Sequence, residues 1–183
     1  MTLYYDIFES PIGWVGLLAS ERGLRRTTLP QDSPQECMAL LGGEADTATL
    51  SPERFEGLKD RLARYLRGEA VTFDDEPIDV ADATPFFRAA WEACRSIPKG
   101  ETRSYKWLAA QAGRPQAPRA AGQSMARNRL PIIVPCHRVV ASDGSLGGFG
   151  KGTSRLDLKR RLLDAEADES TRLSANRQIL WAG

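Results

Sequence analysis

The sequence predicts an α+β protein of the mixed α/β class. A small antiparallel-sheet N-terminal domain fills residues 1–83, and a mostly helical C-terminal domain with a helix-turn-helix fills 84–183. Three observations carry this. Residues 3–29 alternate polar and apolar side chains in short runs broken at Ser10-Pro11-Ile12-Gly13 and Glu21-Arg22-Gly23, the pattern of strands joined by tight turns. From Ser51 onward apolar residues recur at helical spacing instead. Charge divides at the same place: 8 basic and 16 acidic side chains precede residue 84, and 17 basic and 8 acidic follow it.

Taken in order, the PQECMALL stretch predicts a short helix with Cys37 as a buried small hydrophobe. Ser51 and Pro52 suit the cap and first position of a helix to Arg67, with Phe55, Leu58, Leu62, Tyr65 and Leu66 on one apolar face and Gly68 at its end. Asp74-Asp75-Glu76-Pro77 through Asp82 reads as an acidic connector. Thr84-Pro85 opens the next helix, whose apolar face of Phe86, Phe87, Ala90, Trp91 and Cys94 stops at Ile97-Pro98. Ser104 caps YKWLAAQA, Gly113 ends it, and Pro118 begins a second helix toward Asn128, which is the helix-turn-helix outline. That second helix is rich in small residues, suited to close approach to another surface or to tight packing. PIIV (131–134) predicts a short buried strand. A last helix from a Ser154 cap should turn Leu156, Leu158, Leu162 and Leu163 inward and Lys159, Arg160 and Arg161 outward.

Composition narrows the function classes. The longest apolar runs fall short of the roughly 20 residues of a membrane span, and the first residues lack the pattern of a secretory leader, so a cytoplasmic protein is expected. Cys37, Cys94 and Cys136 are far apart and odd in number, which argues for free thiols over a disulfide framework. With one histidine and no paired cysteines, no metal site is expected. A basic half suits a polyanion such as nucleic acid.

The single histidine, His137, directly follows Cys136 and precedes Arg138. An imidazole that can take a proton, with a cation beside it, moves a thiol toward its nucleophilic thiolate. A buried structural cysteine is the competing reading, and the residues alone leave both open. The glycine-rich GGFGKGTS stretch fails the phosphate-loop pattern, because Lys151 is followed by glycine and position 145 is serine. It reads better as a hairpin or lid beside the Cys-His turn.

The wider context resolves the choice. G-E-T-R-S-Y-K-W-L-A (100–109), P-Q-A-P-R-A-A-G (115–122), Asn128 and I-I-V-P-C-H-R-V (132–139), followed by S-x-G-x-x-G-G-F, closely resemble the O6-alkylguanine-DNA alkyltransferases. The resemblance is strongest from Thr84 to Glu166 and weaker in the N-terminal half. It implies repair of DNA by irreversible transfer of an alkyl group from O6 of guanine to Cys136, with O4-alkylthymine as a second candidate substrate. It implies His137 as base acting through a water, Glu166 as its polarising acid, and Asn128 as the tie between the helix-turn-helix and the cysteine turn. Arg119 would enter the base stack, Tyr105 would help turn the target nucleotide, and Ala120, Ala121, Gly122 and Arg127 would lie along the minor groove. Tyr105, Val139 and the Gly148-Phe149-Gly150 lid would line the base pocket. No cofactor is implied, the partner is double-stranded DNA carrying O6-alkylguanine, and a monomer able to bind cooperatively is expected. Four departures from the family pattern are Arg129, where proline is frequent and which would add a charge near the DNA surface, Phe149 for tyrosine, an insertion before Lys159, and the absence of the ligands for the N-terminal zinc that some members carry. The rival reading is a binding module that flags lesions without repairing them, against which Cys136 argues.

Overall fold

A computed structural model of the protein describes residues 1–147 and 155–167. The chain begins with strands β1 (Leu3–Ser10), β2 (Gly13–Ser20) and β3 (Gly23–Thr27), then helices α1 (Pro34–Leu41) and α2 (Gly43–Asp46) and a two-residue strand β4 (Thr49–Leu50). The sheet order is β3-β2-β1-β4. The first three strands are antiparallel and β4 lies parallel to β1, an edge that the alternation of polar and apolar residues did not reveal. Gly23 (φ +151°) is required where it stands: a Cβ there would lie 2.6 Å from the Pro77 carbonyl oxygen, because the returning connector runs against the turn.

Ser51 does not cap a backbone N–H. Its hydroxyl donates to Glu53 instead, and a 3₁₀ turn (Pro52–Phe55) leads into α3 (Glu56–Leu66). The face read from the sequence is the buried one: Phe55, Leu58, Leu62, Tyr65 and Leu66 all enter the core. The acidic connector is fastened at several points. Arg61 pairs with Asp75 (2.8 Å) and with Glu76, and buried Asp79 accepts hydrogen bonds from Ser20 (2.6 Å) and Arg25 (3.2 Å).

Beyond it come α4 (Pro85–Arg95), β5 (Arg103–Ser104), α5 (Tyr105–Gln111), α6 (Pro118–Ala126), β6 (Val139–Val140) and α7 (Leu156–Glu166). Thr84 and Ser104 are side-chain caps, accepting from Phe87 and Trp107 N–H groups. Trp91 on α4 donates its indole N–H to the Ser124 carbonyl (2.8 Å) and so holds α6 against α4. One continuous apolar core runs from Val15 and Leu17 of the sheet through α3 and α4 to Leu158 and Leu162 of α7. The active-site candidates therefore rest on both halves of the chain.

Three expectations need correction. PIIV is a turn: Val134 N–H donates to Leu130 O (2.8 Å), and Ile132 takes φ +75°, a left-handed conformation that a β-branched residue holds only when its surroundings enforce it. Here Thr27 at the end of β3 does so, donating its N–H to Arg129 O (2.9 Å) and its hydroxyl to Pro131 O (3.0 Å). Lys159 does not face outward; it is fully buried, because α7 lies against the Val139 loop on that side. Finally, Arg129 adds no free charge for DNA, since it forms a two-bond pair with Asp82 (2.9 and 3.1 Å) and covers the Trp91 ring. The Ser154 cap lies outside the described residues. Within them α7 begins after Arg155 without a side-chain cap.

Candidate active site

The parallel pairing of β5 with β6 sets Arg103 opposite Val139 and Ser104 opposite Val140. This brings the N-terminus of α5, and with it Tyr105, beside the 3₁₀ turn Cys136–Arg138 that precedes β6. Asn128 fixes the same turn from the other side. Its amide donates to the Val134 carbonyl (2.8 Å), its carbonyl accepts from Leu130 N–H (2.9 Å), and Val134 O also accepts Cys136 N–H (2.8 Å).

His137 is completely buried, and its Nε2 lies 2.7 Å from Glu166 Oε1 on the last turn of α7. Arg138 grips the same carboxylate from Nε (2.9 Å) and Nη2 (2.9 Å) and donates Nη1 to the Ile97 carbonyl (2.8 Å). The cation adjacent in sequence thus serves the acid and not the thiol. Burial would raise the Glu166 carboxyl, but hydrogen bonds from His137 and Arg138 outweigh it and hold the group well below the usual carboxylate range. An ionised Glu166 makes His137 Nε2 the protonated nitrogen. Nδ1, which has no hydrogen-bond partner among the described residues, is then the basic one. Burial also pulls the imidazole's own pKa down, so the ring is neutral at neutral pH, as a proton acceptor must be.

Cys136 is almost fully buried, and burial pushes its thiol up; the Asn128 side chain, the Lys159 ammonium and backbone N–H groups pull it down without reversing the shift. The resting sulfur is a protonated thiol that needs a base at the moment of reaction. Lys159 Nζ donates to Val139 O (2.8 Å) and to Leu146 O, and lies 5.9 Å from the Tyr105 ring centroid. Burial lowers its pKa from 10.5 to about 8. A depressed lysine means that the unfolded chain binds more protons than the folded one between those two values, so this group makes stability rise with pH there. Denaturant titrations of wild type and Lys159→Met should therefore show wild type gaining relative to the variant from about pH 8 to 10.5, with a constant difference below pH 7.

A cavity of about 450 Å³ opens onto Cys136, lined from the helical half by Met125, Asn128 and Pro131 and from the sheet half by Thr27, Thr28 and Leu29. On the other flank Gly147 (φ +69°) packs so closely that a Cβ would lie 2.8 Å from the Tyr105 hydroxyl. Gly148, Phe149 and Gly150 lie outside the described residues. Arg119 on α6 and Arg127 just after its end are exposed, and Ala120 and Gly122 on the helix are half-buried. Ala121 is fully buried, so its small side chain serves the packing of α6 into the core and offers no surface to a ligand. The structure thus gathers Cys136, His137, Asn128, Glu166 and Val139 around one turn and sets Arg119 and Arg127 on an outer face.

Sequence reasoning missed Tyr65, Lys159, Met125 and the use of Arg138. A tyrosine on an apolar helix face was the available signal for the first, since a buried hydroxyl needs a partner. No three or more histidine, cysteine or acidic side chains among the described residues are grouped so as to hold a metal ion, and no helix among them is long and apolar enough to cross a membrane.

Two family models match the chain, one over each half. The family model for the DNA-binding domain of 6-O-methylguanine DNA methyltransferase matches residues 85–168, and that for its ribonuclease-like domain matches residues 3–80. A methylated-DNA–protein-cysteine methyltransferase of Mycobacterium tuberculosis is 45% identical over 170 residues, covering 90% of this chain and 92% of the relative. One from Methanosarcina barkeri is 38% identical over 165 residues, covering 90% and 97%. The crystal structure of Mycobacterium tuberculosis OGT in complex with DNA superposes with a TM-score of 0.71 at 35% identity, covering 89% of this chain and 92% of that one.

Proposed function

Because this chain belongs to the 6-O-methylguanine DNA methyltransferase family, we propose that it repairs DNA by a single irreversible transfer of the alkyl group from O6-alkylguanine to Cys136. The observation that carries the residue assignment is the buried Glu166–His137 pair (2.7 Å), whose histidine shares a turn with Cys136, itself open to a cavity. In the reaction His137 Nδ1 takes the thiol proton through a water. The Sγ–carbon bond forms as the carbon–O6 bond breaks, the electron pair stays with the guanine, which remains in the DNA, and the proton taken by His137 is the one that returns the base to its neutral form. The product is a thioether, a bond inert to hydrolysis, so each molecule acts once. Asn128 holds the sulfur in line, and Lys159 favours the thiolate electrostatically.

A base in a duplex hides its O6 substituent, so the nucleotide must be rotated out. Arg119, exposed in the first turn of α6, is the residue that fills the space left in the stack, and Tyr105 at the start of α5 guides the flipped nucleotide. Arg127, Ala120 and Gly122 face the minor groove, read by shape. Residues 1–83 and 84–183 act as two domains, the first supporting the second, and the free thiols suit a reducing cytoplasm.

The test is a titration of protein with excess duplex carrying O6-[¹⁴C]methylguanine. Label should plateau at one methyl per protein; turnover beyond one, or binding without label, would overturn the reading. Arg119→Ala should slow transfer from duplex by roughly ten- to a hundredfold, the scale of a few kcal/mol of lost help with unstacking. Transfer from the free alkylated base should be unchanged, so the ratio of the two rates isolates flipping from chemistry.

A further inference from the structure

Tyr65 belongs to α3 in the sheet half, yet its side chain ends at the His137–Glu166 pair. Its hydroxyl donates to Glu166 Oε1 (2.6 Å) and lies 3.2 Å from His137 Nε2. The ring is buried, packed edge-on against Phe73 at 5.6 Å between centroids. The carboxylate's other polar partners, His137 and Arg138, come from the helical half.

The protons can be assigned. Glu166 is ionised and can only accept, so the Tyr65 O–H and the His137 Nε2–H both point at Oε1. The Tyr65 oxygen is then free to accept a share of the same Nε2–H. Two oxygens therefore hold the proton on Nε2, and Nδ1 remains the basic nitrogen. We propose that Tyr65 is a positioning residue for alkyl transfer: its hydroxyl fixes the His137 tautomer and divides the charge of Glu166, making the sheet half part of the reaction machinery. This rests on the reading of Cys136 as the alkyl acceptor.

The charged and titratable groups around His137 are Glu166, Arg138, Lys159, Tyr65 itself and the Cys136 thiol. Removing the hydroxyl leaves Glu166 Oε1 less shared, so the carboxylate attracts imidazolium more strongly. The base is then protonated at higher pH, and the acid limb of the rate profile moves upward.

The experiment is single-turnover transfer from O6-methylguanine duplex by wild type and Tyr65→Phe across the pH range, recording both rate and final amplitude. Phenylalanine keeps the ring against Phe73. The expected result is an amplitude equal to wild type, a rate down by about tenfold at neutral pH, the scale of one lost hydrogen bond to a charged group, and an acid limb shifted to higher pH with partial recovery above it. In a Glu166→Gln background the same substitution should change the rate by less than about twofold, since the group that it acts through is gone. An unchanged rate and limb, or a lowered amplitude with the limb in place, would overturn the proposal, the latter by showing that Tyr65 matters to folding alone. Wild type that transfers no methyl at any pH would instead overturn the parent reading.

Discussion

Replacing Cys136 by serine is expected to abolish methyl transfer and to leave affinity for an O6-methylguanine duplex within about threefold of wild type, a change under about 1 kcal/mol. The reason is chemical. A hydroxyl in the same place is far less acidic than a thiol and its neutral form is a weak nucleophile, so the step at an sp³ carbon loses its attacking atom. The residues proposed to meet the duplex, Arg119 on α6 foremost, are untouched by the substitution. Cys94→Ala gives the contrast: that thiol is fully buried in the core, so its loss costs about 1–2 kcal/mol of stability for a small cavity and leaves transfer intact. Measuring label transfer and duplex binding for both variants separates the acceptor from the packed cysteine.

Glu166→Gln has the second-largest expected effect, and it acts on rate and stability together. The carboxylate accepts from His137, Tyr65 and Arg138 at 2.6 to 2.9 Å. An amide cannot accept all of these, and it leaves Arg138 buried without its counter-charge. Breaking a buried pair of this kind costs about 3–5 kcal/mol. Transfer should fall by about 10²–10⁴, the usual contribution of an aligned general base. Because Glu166 is held below its ordinary pKa of 4.5 in the folded state, its contribution to stability is complete above that value and is lost as pH falls toward the folded-state pKa. The variant should lack this acid limb, so the stability gap between the two proteins narrows as the pH drops below 4.5. Urea midpoints measured from pH 7 downward test the sign.

The elements that could be read from the sequence were those whose own residues encode them. The caps at Thr84 and Ser104, the apolar face of α3 and the strands β1 to β3 are local patterns, and each stands where the pattern puts it. What escaped depends on partners distant in the chain. PIIV has the composition of a strand, but Thr27, more than a hundred residues earlier, binds its Pro131 carbonyl and holds the segment as a turn. Lys159 has the character of a surface residue until the Val139 and Leu146 carbonyls are seen to receive its ammonium. Tyr65 satisfied the helical apolar pattern so well that its hydroxyl drew no attention, although its partner, Glu166, lies at the far end of the chain. Arg138 follows the histidine in sequence, and proximity suggested a role beside the thiol. In the folded chain its guanidinium turns to Glu166 and Ile97 instead.

The central claim is that the thiol of Cys136, relieved of its proton by His137, accepts one alkyl group and keeps it. Intact-protein and peptide mass spectrometry after incubation with excess O6-methylguanine duplex tests this most directly, because Cys37 and Cys94 are present as internal controls. The account predicts a gain of one methyl group, confined to the peptide that contains Cys136, with no further gain on longer incubation. Methyl on either of the other cysteines, or a protein that binds the duplex and gains no mass, would contradict it.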